Sequence, residues 1–217
     1  MKKILMLVSF ALFITVCGTA QTTFAVRGGV NFQTIKGDED ESNKMMAKYH
    51  LGAQADIPVA TDFYFQPGLL FATKGAKSKE TLLGETFEAK LNLAYLEIPL
   101  SLVYKPEVGT GKLILGAGPY VAFGVGGKLK FEGGGESEEI DVEFTNDVKD
   151  SDPDDKAYIK RMDAGANIFA GYEFTPNIFV QANAQVGLSN LTPKYNGEKP
   201  DTKARNLGFG LSIGYRF

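Results

Sequence analysis

From residue 21 onward the chain alternates apolar and polar side chains with a period of two, in eight separate runs. The runs occupy 24–33, 49–57, 63–71, 91–104, 113–125, 163–174, 178–189 and 206–217. In the last of them Leu207, Phe209, Leu211, Ile213, Tyr215 and Phe217 face one way, against Asn206, Gly208, Gly210, Ser212, Gly214 and Arg216. Leu91, Leu93 and Tyr95 are out of phase with Leu96, Ile98 and Leu100, which predicts a bulge or a rim at the start of the fourth run. The connections alternate as regularly as the residues. Those at 58–62, 105–111 and 175–177 are short, and those at 36–47, 74–86, 126–157 and 192–203 are long. Successive turns of an up-and-down meander fall at opposite ends, so one end is tight and the other rich in loops. An even strand number with that asymmetry predicts an all-β fold, a transmembrane eight-stranded antiparallel up-and-down β-barrel.

A mean hydropathy of −0.10 leaves no room for a bundle of membrane helices, but an alternating barrel averages to nearly nothing. One Cys and one His among 217 residues exclude a disulfide framework, a Cys-based zinc site and multi-His metal ligation, and no cofactor is expected. A net charge of −3 argues against nucleic acid as a partner, which calls for a basic face.

The first twenty residues read as an address. Met1-Lys2-Lys3 is basic, residues 4–16 are almost continuously apolar, and Gly18-Thr19-Ala20 supplies small residues before Gln21, the layout of a signal peptide cut after Ala20. The apolar run is short for a retained anchor helix, which needs about 20 residues. Cleavage before a lipidated Cys17 is the other alternative, and Val16 stands where a small residue is expected. The expected division is 1–20 signal peptide and 21–217 barrel, with Cys17 lost and the mature charge at −5 once Lys2 and Lys3 have gone.

Alternation alone does not say which face points out, since soluble ligand-carrying barrels alternate with apolar residues inside. The chemistry of the polar face decides. Gln181, Asn183, Gln185, Gly187 and Ser189, with Asn206, Gly208, Gly210, Ser212 and Gly214, are small or amide-bearing, unlike a face meeting bulk water. The other face is aliphatic in its middle and aromatic near its ends, as an interfacial girdle requires. The expected arrangement is apolar side out, against lipid. A soluble, secreted ligand-carrying barrel is the alternative.

The closing strand, with aromatic Tyr215 and Phe217, resembles the signal read by the outer-membrane barrel-assembly machinery. Phe63-Tyr64-Phe65-Gln66-Pro67-Gly68-Leu69-Leu70, Tyr95-Leu96-Glu97-Ile98-Pro99-Leu100, Asp163-Ala164-Gly165 through Gly171-Tyr172-Glu173-Phe174, and Gly187-Leu188-Ser189-Asn190-Leu191 resemble the outer-membrane β-barrel domain family, often labelled porin-family. The resemblance spans about 21–217. It implies a Gram-negative outer membrane and an eight-stranded barrel, and it carries over no catalytic residue. Because the chain ends with the eighth strand, no cell-wall-anchoring module is expected after it.

Eight strands enclose an interior that side chains just fill, so no open pore is expected. The inward set Arg27, Asp56, Glu97, Asp163, Glu173 and Arg216 predicts a buried charge network, with four carboxylates against two guanidinium groups. A structural plug is the plain reading of that set, and a narrow ion path the sharper one. His50 is the lone base of the usual kind, near the loop-rich end of the second strand. The sequence places no Ser or Asp beside it, which favours a hydrogen-bonding role over lipid-modifying catalysis. Residues 127–157 carry eleven carboxylates against four lysines, net −7, a candidate contact for an extracellular partner. Within it Asp150, Asp152 and Asp154 alternate like the start of a calcium loop. Asp155 occupies the turn-glycine position, however, and Arg161 replaces the closing Glu. Residues 140–144 alternate too, so strands are expected to extend past the membrane and offer an edge to a partner. The whole reads as a monomeric barrel contacting outer-membrane lipid, with a structural or surface-binding role and no chemistry.

Overall fold

The computed structural model describes residues 21–37, 43–82, 85–133 and 136–217. The expected signal peptide and Cys17 lie outside the described residues. Eight long strands form the wall: β1 (Thr23–Gly37), β2 (Met46–Ala60), β3 (Phe63–Leu82), β4 (Glu85–Tyr104), β5 (Gly111–Gly133), β6 (Met162–Phe174), β7 (Ile178–Gly187) and β8 (Ala204–Arg216). Each pairs antiparallel with its neighbours in sequence. β1 also pairs with β8 from Ala25↔Arg216 to Gly37↔Ala204, which closes the ring and leaves the wall no edge.

The three short turns each use a residue able to take positive φ, Asp62, Gly109 and Asn177, as tight reversals demand. The long connections differ from expectation. Segment 74–86 is mostly strand, because β3 and β4 continue as a hairpin paired from Lys74↔Leu93 to Leu82↔Glu85. β5 likewise runs on to Gly133 and pairs with a further strand, Glu136–Phe144. Past the apolar band the outward face of a strand meets water, so polar residues there form sheet without the outward hydrophobic run that marks a span. The strand expected at 140–144 is present, and a three-residue strand, Ala157–Ile159, lies parallel to it.

The apolar runs point outward. Leu51, Ile168, Leu211 and Ile213 are 60% or more exposed. Phe63 stacks on Tyr104 at the short-turn end, with Tyr172–Phe174 and Tyr215–Phe217 ring pairs beside them. Phe32–Phe209 and Tyr49–Phe71 pairs mark the other end. Between Phe63 and Phe71 lie about nine residues of outward apolar strand, the length of a transmembrane β-span. The soluble-carrier alternative needs the opposite arrangement, and the polar interior overturns it.

Leu93 and Tyr95 face inward in step with Glu97, Pro99, Ser101 and Val103, so β4 carries no bulge. The irregularity expected there lies across the ladder on β5, where Ala94 pairs with Gly126 but Tyr95 with Gly124, leaving Val125 as the extra residue. What changes at Tyr95 is the interior itself. At the long-loop end it is apolar, with Leu93, Tyr95, Tyr120, Val142, Phe144 and Leu191 packed together. At the other end Ala25, Val103, Ile114, Phe169 and Phe179 pack together. Inward glycines make room for these rings. A Cβ at Gly116 would lie 2.2 Å from the Phe169 ring, and one at Gly214 would lie 2.2 Å from that of Phe179.

Candidate functional site: the lumen and the acidic hairpin

All six residues expected in the lumen network point inward, five of them in two groups at different heights. At the short-turn end Asp56 is paired with both Arg216 and Lys105 and accepts from Gln66 Nε2 at 2.6 Å. Arg216 Nε donates to Glu173 at 2.8 Å, and the guanidinium lies over the Phe179 ring. Toward the loops Lys74 Nζ sits 3.0 Å from both Glu97 and Asp163 and 4.3 Å from the Tyr120 ring centroid. Asp163 also accepts from Tyr120 (3.1 Å), Ser189 (3.0 Å) and Asn206 (2.8 Å). Gln185 Nε2 donates to Glu97 at 2.9 Å.

Lys74 and Lys105 correct the expected acid excess: with Arg27 and Arg216 they set four cations against four carboxylates. Both fall in segments whose sequence reads as connection, yet counting on by twos from Gln66 reaches Lys74, and from Glu97 reaches Lys105. The alternation therefore held the signal. Arg27 has no carboxylate within ion-pair distance among the described residues. With Asn31, Gln33, His50, Glu97 and Asn167 it lines a cavity of about 20 Å³ between the groups, room for a single water-sized molecule.

Ser212, which the sequence did not place, stands beside His50, Nε2 to Oγ 2.8 Å. The contact joins residues 162 apart in sequence, and only closure of β1 onto β8 creates it. The pair resembles a nucleophile with its base, but it is buried in a filled lumen with apolar packing at each end.

Asp150, Asp152 and Asp154 do not converge. No group of three acidic or other ligating side chains able to hold a metal occurs among the described residues. Asp150 is occupied by Tyr195 Oη (2.7 Å) and Asn196 Nδ2 (2.8 Å), and Asp152 accepts from the Lys149 backbone N–H. Those two donors hold the Asp150 carboxyl below its usual range. The clamp between the third and fourth long connections is thus complete at neutral pH and is lost as pH falls through that lowered value. Gly197 N–H donating to Asp147 at 2.8 Å reinforces it.

The acidic segment forms instead a sheet extension above the wall, ordered β3, β4, β5 and Glu136–Phe144. One face carries Phe87 and Phe131, 45% and 42% exposed, beside Glu136 and Glu138 in a groove of about 430 Å³. On the other, Glu132 accepts from Lys130 and Lys90, which lowers its pKa to about 2. Among the described residues 136–141 pair on one side only, with β5, leaving the opposite edge open.

Comparison with known proteins agrees with this geometry. The model of the outer membrane protein β-barrel domain matches residues 19–192. The chain belongs to this family. Membership places this barrel in the outer membrane. No curated protein matches its sequence. Among solved structures it is similar to Ail, the attachment invasion locus protein of Yersinia pestis, at 16% identity and a TM-score of 0.44, over 91% of this chain and 99% of that one. Ail was solved in complex with the heparin analogue sucrose octasulfate. It is similar also to Neisserial surface protein A (12%, TM-score 0.46, 91% and 99% covered) and to OprG from Pseudomonas aeruginosa (14%, 0.45, 91% and 97%). Family membership of the barrel rests on the domain match.

Proposed function

We propose that this outer-membrane barrel is a closed, monomeric surface-binding protein that catalyses no reaction and presents its acidic hairpin to a cationic extracellular partner. The open 136–141 edge carries the reading. Along its unpaired backbone groups Glu136 and Glu138 stand on one face beside Phe87 and Phe131, and Glu139 and Asp141 on the other, where Glu139 is already paired with Lys128. An extended segment with Lys or Arg at alternate positions would gain backbone hydrogen bonds, charge pairing and apolar contact together. A second copy of the same edge would oppose carboxylate with carboxylate, which keeps the barrel from pairing with itself. On this reading residues 1–20 are the signal peptide, Tyr215 and Phe217 serve the assembly machinery, and the lumen network of Arg27, Asp56, Glu97, Asp163, Glu173 and Arg216, completed by Lys74 and Lys105, is a structural plug.

A peptide of alternating Lys and Val, titrated onto the full barrel in liposomes, tests the edge. Changing Glu136 and Glu138 to Gln and Asp141 to Asn together should weaken binding about tenfold at low salt, roughly 0.5 kcal/mol per charge, and less at high salt. Unchanged affinity would remove the hairpin as the binding element.

The plug makes a separate prediction. Apolar packing at each end and the balanced charges leave no continuous wet path, so planar bilayers containing the barrel should show near-zero conductance. Glu97→Gln together with Glu173→Gln should leave it near zero. A stepwise conductance lost in the double variant would restore the ion-path reading.

A further inference from the structure

We infer that the outer surface of the β2–β5 extension, just past the lipid-facing band, is a seat for a phosphate-bearing lipid headgroup of the outer leaflet. Four lysines stand in one cross-strand row: Lys44 bridges to Lys77, Lys77 pairs with Lys90, and Lys90 pairs with Lys130. Like charges directly opposite one another destabilise a sheet, so such a row needs anions. Among the described residues, carboxylates stand against one side of the row only. Lys90 and Lys130 share Glu132, and Lys90 also reaches Glu88 at 3.3 Å. Lys44 and Lys77 have no carboxylate within ion-pair distance among the described residues. Among the described residues neither has Lys48, whose ammonium donates to Asn92 Oδ1.

Below the row lies a depression of about 400 Å³ with Ala94 and Gly126 in its floor and Lys48, Tyr49, Asn92 and Lys128 around it. Gly126 has open space where a side chain would stand. Phe71, Leu96 and Phe123 of the outward band form one register row across β3, β4 and β5, two residues along the strands from Thr73 and Ala94, which line the depression. Lys77 is six residues past Phe71, about 20 Å along the strand and about 15 Å in height once the strand tilt is taken out, within reach of the headgroup layer for a side chain that bends down. Adjacent strands are about 4.8 Å apart, so the four lysines span about 15 Å, wide enough for a headgroup with more than one phosphate. An acyl chain would lie on the band while its phosphates meet Lys44, Lys48 and Lys77. A free phosphate ion would gain the second contact without the first.

The test is lipid retention by the full, detergent-purified barrel in native mass spectrometry. Bisphosphorylated lipid A, the same lipid with its phosphates removed, and inorganic phosphate are the probes. Lipid A should be retained and its dephosphorylated form lost, and millimolar inorganic phosphate should not compete it off. Each of Lys44→Gln, Lys48→Gln and Lys77→Gln should reduce retention about fivefold, while Lys203→Gln on the fourth long connection should leave it unchanged. Thermal unfolding without lipid is the independent readout. Lys77→Gln relieves repulsion and should leave the melting temperature equal or higher. Retention indifferent to phosphate or to these lysines, full competition by inorganic phosphate, or a lipid-free barrel destabilised by Lys77→Gln would each overturn the inference.

Discussion

Asp163→Ala should cost the barrel about 3–5 kcal/mol, among the largest losses available to a single substitution in this chain. The carboxylate is fully buried and is the common acceptor for Lys74, Tyr120, Ser189 and Asn206. Its removal leaves a buried ammonium with Glu97 alone, and three neutral donors with nothing to donate to. Each lost partner adds a desolvation penalty, which is larger than the net worth of the bond itself. Asp163→Asn keeps the shape and part of the hydrogen bonding and should cost less. Asp163→Ala combined with Lys74→Met should recover little, because it takes the ammonium from Glu97 as well and leaves that buried carboxylate, among the described residues, with Gln185 alone. The chain has no tryptophan, so the measurement is urea unfolding in lipid vesicles followed by far-ultraviolet circular dichroism. A single-variant loss below 1 kcal/mol would mean that the Asp163 cluster is not what secures the loop end of the lumen.

Gly29→Val should abolish closure of the barrel. Gly29 pairs with Ser212 on β8 and His50 on β2, on the strand that joins the two ends of the chain into a ring. A Cβ at this position would lie 2.0 Å from the Leu211 carbonyl oxygen and 2.8 Å from both the Ser212 Cα and the His50 ring. The first two are backbone and cannot yield without separating β1 from β8. Overpacking in a yielding core costs 1–3 kcal/mol, and a clash at the seam removes the pairing that makes the wall edgeless. The folded barrel should be missing as the fast-migrating species in unheated gel electrophoresis. Gly126→Ala, where a Cβ meets nothing, should fold normally. Recovery of a folded, heat-modifiable Gly29→Val barrel would show that β1 and β8 can part at this point and still close.

The lumen shows where sequence reading stops. Asp56, Glu97, Asp163, Glu173, Arg27 and Arg216 were legible because they fall on the polar phase of recognisable runs. Lys74 and Lys105 fall on that phase too, but each lies where the apolar partner phase has given out, so both look like loop residues. Tyr95 and Tyr120 sit on the inward phase as large aromatic residues, and only their position under the loops explains why the interior turns apolar there. The three aspartates at 150–154 read as a potential cation loop because spacing is one-dimensional. Folding turns Asp150 toward Tyr195 and Asn196, 45 and 46 residues away.

The number of strands, their up-and-down order, the outward direction of the apolar face and the concentration of acid above one end follow from the sequence alone. A period of two assigns each side chain to one of two faces, and connection length assigns each turn to one of two ends. Which inward residues meet was decided by the tertiary structure. Closing and staggering a sheet into a ring brings Arg216 to Asp56, 160 residues apart, and His50 to Ser212. Those contacts depend on the register in which β8 returns to β1, a distance across the lumen that no local pattern encodes.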